Sequence, residues 1–267
     1  PDARQRAEVP HHLLDLRNPN EEFSLAEYMQ AAHATAAEIR SRQRTVLFVG
    51  GTALYLKSLL RGVTTGPEAD WEFRLQLQRE IEEHGLPALH ARLQLVDPLA
   101  AAKLHPNDKR RIIRALEVAR KIGQPISHLQ TQFDEEIRSQ PCRVVTLAWP
   151  RPELHGRIER RVEQMFANDL VGEVRRLLAD FGTLGRTASQ AVGYREVLEH
   201  LRGEKSLPET VLAVQARSRQ FARRQETWFR SLSECIALPM HPDEEPGKTV
   251  ERILTEPTLA LDRERVS

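Results

Sequence analysis

The sequence is poor in cysteine and has no long apolar run, and each scarcity excludes a class of protein. Two cysteines, Cys142 and Cys235, are too few for a disulfide framework, and without a CxxC pair they do not form a zinc motif; both are expected to be buried thiols. No stretch approaches the roughly 20 apolar residues of a membrane span, and the N-terminus lacks the order of a secretion signal. These absences predict a cytoplasmic protein that does not contact a membrane.

The charge of the chain is balanced overall but uneven along its length. The 39 Lys and Arg residues offset 38 Asp and Glu residues, which leaves a formal net charge of +1. Residues 103–121 hold seven Lys or Arg against two acids, and residues 217–230 hold five Arg against one Glu. Such segments can neutralise phosphates, although most basic helix faces are only solvated. Charge alone therefore leaves nucleic-acid binding open.

Apolar spacing predicts an α/β fold class with an inserted helical domain. TVLFVGG at 45–51 has the β-branched character of a buried parallel strand that ends in a tight turn, and helices are predicted on both sides of it. Residues 70–140 show helical patterns alone, whereas a second strand is predicted at 143–149. The predicted α/β core therefore comprises residues 1–69 and 141–267, and the helical insertion comprises residues 70–140.

Helical spacing, capping residues and terminal glycines set the bounds of the predicted helices. They are expected at 24–42, 53–60, 71–84, 86–95, from Asp97-Pro98, 108–122, 152–168, 170–181, 194–201, 207–232 and, in the polar tail, about 250–254.

Two glycine-containing turns are candidate anion-binding sites. Gly50-Gly51-Thr52 lies where the predicted strand meets a helix, the position at which open α/β sheets bind ligands through backbone N–H groups. Glycine pairs also occur at such turns for steric reasons alone. Arg195, in AVGYRE, lies at a predicted helix start, where its guanidinium could bind a diphosphate or pair with a surface carboxylate.

The segment QARSRQFARRQETWFR at 215–230 alternates arginines with aromatic residues. Phe221 and Trp228 are seven residues apart and share one helix face, while the arginines occupy the other faces. This periodicity favours a core-facing aromatic stripe with a phosphate-facing basic surface over a platform on which bases stack.

Six segments occur in an order that resembles the bacterial tRNA dimethylallyltransferases. The resemblance covers about 230 of the 267 residues, and the joint occurrence of the segments is highly specific. It implies a P-loop-NTPase-like parallel sheet core and a helical insertion that grips the tRNA anticodon arm, with a channel where a flipped adenosine meets dimethylallyl diphosphate. The segments are PHHLLDL at 10–16, LFVGGTALYLKSLLRG at 47–62, LHPNDKRRIIRALEV at 104–118, RIERRVEQM at 157–165, AVGYREVL at 191–198 and RQFARRQETWFR at 219–230.

The resemblance also implies roles for individual residues. Arg195 and Thr52 match catalytic positions of the family: Arg195 matches the arginine that binds the diphosphate, and Thr52 also matches a residue that contacts tRNA beside the reacting base. Arg74, in DWEFR, matches a further contact near that base. The other implied tRNA contacts are Arg110, Arg111 and Arg114 in the insertion and Arg219, Gln220, Arg223 and Arg224 in the segment RQFARR.

The sequence departs from the family pattern in two respects. Residues 1–267 contain neither the P-loop GxTxxGKT, which would hold the diphosphate and Mg²⁺, nor the DSxQ segment whose aspartate would activate the adenine amine. We therefore expect the core to be truncated because the sequence is incomplete, not because the natural protein is short. The Mg²⁺ ligands are expected to lie upstream. In addition, Asp169 stands where the family usually has glycine, which predicts an altered helix break.

The implied function is the transfer of a dimethylallyl group to the exocyclic amine of the adenosine beside the anticodon, by a monomer. The alternative is a tRNA-binding remnant without catalysis, which would keep the insertion and the basic helices. A P-loop nucleotide kinase would share the core but would not explain RQFARRQETWFR beside inserted helices.

We expect the 267-residue chain to have little or no transferase activity even with Mg²⁺, because the implied general base and most implied diphosphate ligands are not among its residues. The measurement is transfer of a labelled dimethylallyl group to an anticodon-arm RNA. Robust prenylation by this chain would contradict the expectation.

Overall fold

The computed structural model describes residues 1–62, 66–129 and 144–255, which form fourteen helices and two strands. The elements are α1 (Ala3–Glu8), α2 (Leu25–Ser41), α3 (Ala53–Arg61), α4 (Trp71–His84), α5 (Leu86–Val96), α6 (Pro98–Lys103), α7 (Lys109–Ile122), α8 (Ile126–Leu129), β1 (Val144–Ala148), α9 (Arg151–Ala167), α10 (Leu170–Phe181), α11 (Arg186–Ser189), α12 (Tyr194–Leu201), α13 (Leu207–Arg230), β2 (Cys235–Pro239) and α14 (Pro246–Thr255).

The chain divides into two compact units. The first, called the core unit below, comprises Pro1–Tyr55 and Ser139–Ser267, and the second, called the helical unit, comprises Leu56–Arg138. Domain boundaries at 69/70 and 140/141 stay a prediction from the sequence.

The helical unit is built around one apolar core. Helices α4, α5, α6 and α7 each contribute to it, because their apolar residues recur at the spacing that places them on one face. Burial of these side chains removes apolar surface from water and holds the four helices together. The fully enclosed members are Phe73, Leu77, Leu89, Leu93, Ala101, Ile112, Ala115 and Leu116.

The core unit contains a small parallel sheet and several helix pairs. Strands β1 and β2 pair in parallel, with Val144 opposite Cys235 and Ala148 opposite Pro239. Leu238 of β2 packs with Trp149 beside the sheet, and the longest helix, α13, packs along α9 and α12. The α/β class is thus confirmed in a coarse form, as a mostly helical chain with a small parallel sheet, and a P-loop-type core stays a prediction.

The prediction of a buried strand at 45–51 is wrong in this structure. No ladder joins these residues to β1 or β2, and the side chains of Leu47 and Val49 are 82% and 87% exposed. A strand exists only where a neighbouring backbone accepts and donates its hydrogen bonds. Within the part of the chain that the structure describes, β1 pairs with β2, which sequence analysis did not predict, and the segment 45–51 has no such neighbour.

Most predicted helices are confirmed to within two residues at each end. The capping boxes at Ser24 and Ser206 are both formed, and Gly123 ends α7 in the left-handed conformation. The short helices α1, α8 and α11 were not predicted, and the tail helix α14 is longer than predicted. The expected burial of cysteine is wrong for Cys235, which is partly exposed, and Cys142 lies outside the described residues.

Asp169 forms the helix break at the position where a glycine was expected. Its φ of 64° is left-handed, and its carboxylate caps α10 by accepting a hydrogen bond of 3.0 Å from the backbone N–H of Gly172. Arg176 donates a second hydrogen bond of 3.0 Å to the same side chain. The break between α9 and α10 is therefore kept, because an aspartate tolerates this conformation and its carboxylate caps the next helix.

We expect stability to follow the order Asp169→Asn, then Asp169→Gly, then Asp169→Ala. Asparagine keeps both the cap and the tolerance of positive φ, glycine keeps the tolerance, and alanine keeps neither. Alanine should lower the Tm by a few degrees, about 2–4 °C for a chain of this size, and asparagine should leave it nearly unchanged. Thermal unfolding followed by circular dichroism measures the order, and an alanine variant as stable as the asparagine variant would contradict it.

Candidate functional site

Arg195 lies in a cationic depression on the core unit, between α12 and α13. The depression has a volume of about 280 Å³, and four cations against two carboxylates give its lining an excess of positive charge. The charged and amide side chains that line it are Arg195, Glu196, Glu199, Lys205, Arg217, Gln220 and Arg224.

The surroundings of Arg195 agree with both interpretations of its role, which are pairing with a carboxylate and binding of an anion. The Nε of Arg195 donates to Glu199 at 3.1 Å, so the guanidinium does pair with a carboxylate, as the alternative anticipated. Lys205 Nζ donates to the other oxygen of Glu199 at 2.6 Å. The hydrogen bonds from Lys205 and then Arg195 lower the pKa of Glu199, against the effect of burial. The Arg195 side chain remains 51% exposed, so it is accessible to an anion in the depression.

A buried carboxylate ties the start of α12 to α13. Glu196 is almost completely enclosed, and it accepts 2.8 Å and 3.0 Å hydrogen bonds from the backbone N–H of Gly193 and from Arg217 Nη1. Sequence reasoning missed Arg217, Lys205 and both glutamates. A helical projection of α13 could have found Arg217, because Arg217, Gln220 and Arg224 are spaced to share one face.

The predicted contacts at 219–224 lie on the same helix but have different surroundings. Arg219 Nη1 donates to Glu159 of α9 at 3.0 Å and is partly enclosed. Gln220, Arg223 and Arg224 are exposed, and Gln220 and Arg224 belong to the depression described above. The structure therefore brings Arg195, Gln220 and Arg224 together and places Arg219 at a helix pairing.

The prediction of a core-facing aromatic stripe is wrong for Phe221. Its side chain is 42% exposed, and the guanidinium carbon of Arg224 lies 5.8 Å from the centre of its ring, whereas Trp228 is partly buried. The buried residues of α13 all lie in its first half, and Phe221 lies in the second half.

The glycine turn that precedes Thr52 is held against α13. Gln225 donates to the carbonyl oxygen of Gly51 at 2.6 Å, and a Cβ on Gly51 would lie 2.2 Å from the Gln225 Nε2. A side chain at position 51 would therefore displace the end of Gln225 and break this hydrogen bond. Thr52 directly precedes α3, and Gln225 directly follows Arg224 of the depression.

Arg74 and Arg114 share one buried carboxylate in the helical unit. Arg74 donates to Glu117 through Nε at 2.7 Å and through Nη2 at 2.9 Å, while Arg114 Nη1 donates at 2.5 Å. The backbone N–H of Asp70 donates to the same carboxylate at 2.7 Å. Burial by itself would raise the pKa of Glu117, but the hydrogen bonds from Arg74, Arg114 and Asp70 outweigh it and lower the pKa to about 2.

The other predicted contacts of the insertion lie at the solvent-facing start of α7. Arg110 and Arg111 are exposed, and Arg111 Nε lies 3.4 Å from the carboxylate of Asp108, which caps the helix. At the other end of α7, Arg120 lies over the ring of Phe73 at 4.4 Å. Its guanidinium therefore has a packing role within the unit.

The residues that the structure describes contain no group of three or more His, Cys, Asp or Glu able to hold a metal ion. Magnesium stays a prediction attached to the P-loop motif. None of the described helices has the length and apolar character to cross a membrane.

We expect the stabilising effect of Glu117 to depend on pH. Its pKa of about 2 lies below its ordinary value of 4.5, so the charged form stabilises the fold above pH 4.5 and the effect is lost as pH falls toward 2. The free energy of unfolding of the wild type minus that of Glu117→Gln should shrink by about 2 kcal/mol between pH 6 and pH 3. Urea unfolding at a series of pH values measures this difference, and a constant difference would rule the effect out.

Comparisons with known proteins identify the family. Residues 1–232 match the family model described as IPP transferase. The chain is 51% identical over 239 residues to a tRNA dimethylallyltransferase of Rhodopirellula baltica, with 89% of this chain and 71% of that protein covered. It is 42% identical over 247 residues to the tRNA dimethylallyltransferase of Symbiobacterium thermophilum, with 92% and 77% covered.

Solved structures agree with this result. A tRNA isopentenylpyrophosphate transferase from Bacillus halodurans is 33% identical, with a TM-score of 0.65 and with 95% of this chain and 78% of that chain covered. A eukaryotic dimethylallyltransferase acting on tRNA shares the fold at 21% identity, with a TM-score of 0.74 and with 99% and 70% covered. The resemblance first noted in the order of six segments is thereby confirmed, and the chain belongs to the IPP transferase family.

Proposed function

We propose that this chain, when joined to a segment that carries the P-loop and DSxQ motifs, acts as a tRNA dimethylallyltransferase, which transfers a dimethylallyl group from dimethylallyl diphosphate to the exocyclic amine of the adenosine next to the anticodon. The observation that carries the proposal is the 51% identity over 239 residues to a relative of that name. The cationic depression of the core unit and the exposed arginines of both units support it, because both substrates of the reaction are polyanions.

The reaction is a substitution at the primary carbon of the prenyl donor. The exocyclic nitrogen of adenosine forms a new C–N bond with that carbon, the C–O bond to the diphosphate breaks, and its electron pair leaves with the diphosphate. The nitrogen loses a proton to a general base, which the resemblance places in a DSxQ segment. Catalysis then depends on placing nitrogen and carbon in line and on neutralising the departing group.

The depression around Arg195 is proposed as the contact for the diphosphate. Arg195 is exposed within it, and Lys205, Arg217 and Arg224 add positive charge to its walls. Glu199 binds Arg195 and Lys205 together, which limits the orientations of both side chains before an anion arrives. A guanidinium held in this way stabilises negative charge that grows on the leaving diphosphate, and a planar fork of donors suits its oxygens.

The tRNA contacts are proposed separately for the two units. In the core unit they are Thr52, beside the turn held by Gln225, and the residues Arg219, Gln220, Arg223 and Arg224 of α13. In the helical unit they are Arg74, Arg110, Arg111 and Arg114, of which Arg110 and Arg111 are exposed at the start of α7. Guanidinium groups that reach solvent can bind RNA phosphates, and phosphate contacts orient the RNA without reading its sequence.

A cytoplasmic location, a monomeric state and a requirement for Mg²⁺ are further parts of the proposal. They rest on the sequence and on the resemblance to the family.

We expect Arg195→Ala to lower the transfer rate strongly without changing RNA affinity. The assay uses the chain extended at its N-terminus by a family member's segment that carries the P-loop and DSxQ motifs. Loss of a preorganised donor to the leaving group typically costs about 10²–10³ in turnover. Arg202→Ala is the matched control, because Arg202 is an exposed arginine at the end of the same helix that pairs with Glu204 and does not line the depression.

Single-turnover transfer and RNA titration are measured side by side for both variants. The diphosphate role of Arg195 would be wrong if Arg195→Ala abolished RNA binding but kept the transfer rate. It would also be wrong if Arg202→Ala lost as much of the rate as Arg195→Ala.

A further inference from the structure

The carboxylate of Glu117 is enclosed in the helical unit and fully used as an acceptor. Its side chain has no exposed surface, and it accepts four hydrogen bonds, two from Arg74 and one each from Arg114 and the backbone N–H of Asp70. The donors come from the start of α4 and from α7, so they are distant in sequence and meet only in the folded unit.

Stability alone is a weak reason for this arrangement. Removing a carboxylate and guanidinium groups from water is costly, and well-packed apolar residues of similar volume often stabilise a protein as well or better. An ion cluster does control orientation, because the two-point contact with Arg74 sets the plane of its guanidinium group. The cluster therefore orients the side chains that surround Glu117, in addition to any contribution to the stability of the unit.

Both guanidinium groups are restrained on further sides while part of each stays in solvent. The carbon of the Arg74 guanidinium lies 5.0 Å from the ring centre of Trp71. A Cβ on Gly66 would lie 2.6 Å from Arg114 Nη2, so Arg114 packs against the chain at a position where a side chain would displace it. The side chains of Arg74 and Arg114 are still 23% and 33% exposed.

We infer that Glu117 is a positioning residue for tRNA, which holds the guanidinium groups of Arg74 and Arg114 in a fixed arrangement for acceptor oxygens of the RNA. The inference rests on the proposed function, which assigns both arginines to tRNA contact. A side chain that is already ordered loses less conformational entropy on binding, which is worth about 2- to 10-fold in affinity per side chain.

The effect of removing this charge distinguishes positioning from simple electrostatics. Glu117→Gln removes a negative charge next to two proposed RNA contacts, so electrostatic attraction alone would make RNA binding tighter. If Glu117 positions the two arginines, the same change releases them and binding becomes weaker. The two accounts therefore predict opposite signs.

The experiment titrates an anticodon stem-loop RNA at several salt concentrations with the wild-type chain, Glu117→Gln, the double variant Arg74→Gln/Arg114→Gln, and the triple variant. We expect Glu117→Gln to weaken binding about 10-fold and to make its salt dependence shallower, since phosphate contacts are lost. The triple variant should bind like the double variant, because Glu117 would act only through these arginines.

Glu80→Gln is the matched control. Glu80 belongs to the same unit and accepts a 2.7 Å hydrogen bond from Arg92, which is not a proposed RNA contact. Its removal also deletes one negative charge from an arginine pair, so this variant should bind RNA as well as the wild type or slightly better. Circular dichroism and Tm establish that each variant is folded at the temperature of the titration.

Gly66→Ala provides a second route if Glu117→Gln does not fold. This variant leaves every charge in place, but its Cβ would displace the end of Arg114, so RNA binding should weaken. In a chain that already carries Arg114→Gln, Gly66→Ala should cause no further loss of RNA binding. Wild-type affinity for Gly66→Ala would overturn the inference.

The remaining outcomes separate the inference from the proposed function. Unchanged or tighter binding by Glu117→Gln, with weak binding by the double variant, would overturn positioning and leave the tRNA contacts in place. A further loss in the triple variant would also overturn it, because Glu117 would then act through the fold of the unit. Wild-type affinity and salt dependence in the double variant would instead withdraw Arg74 and Arg114 from the proposed function.

Discussion

The arrangement of cations in this chain depends on carboxylates that are buried beside them. Glu117 in the helical unit and Glu196 in the core unit are both removed from solvent. Each carboxylate accepts hydrogen bonds from a backbone N–H and from a guanidinium group. A buried carboxylate is tolerated only when its oxygens are fully hydrogen-bonded. This requirement accounts for the positions of the guanidinium groups that contact the two carboxylates, Arg74 and Arg114 at Glu117 and Arg217 at Glu196.

The two units meet this requirement in different ways. In the helical unit two guanidinium groups share a single enclosed acceptor, which leaves the cluster with an excess positive charge held at defined positions. In the core unit the cations line an open depression, where Glu199 joins Arg195 and Lys205 near the surface. The first arrangement suits contacts that orient a large, fixed partner, and the second suits a small anion that must enter and leave.

Helices were predicted well because the signals that define them are local. A capping box such as Ser206 with Glu209, or a left-handed glycine after α7, acts within one or two turns and can be recognised in a short window. The strand at 45–51 failed for the opposite reason, because apolar β-branched residues form a strand only when a neighbouring backbone pairs with them. Strand β2 was missed since its last residue is proline, and a proline in a short apolar run argues against a strand.

The sequence by itself determined the family, through six segments in one order, and with it the candidate arginines. It did not show that Arg74 and Arg114 share Glu117, or that Arg217 and Lys205 line the depression beside Arg195. Those facts depend on partners that are separated along the chain, by 43 residues for Arg74 with Glu117 and by 21 for Arg217 with Glu196. Only tertiary packing decided them. A hydrogen bond needs two groups within about 3 Å of each other, and a separation of more than a few helical turns along the sequence does not fix the distance between two residues in space.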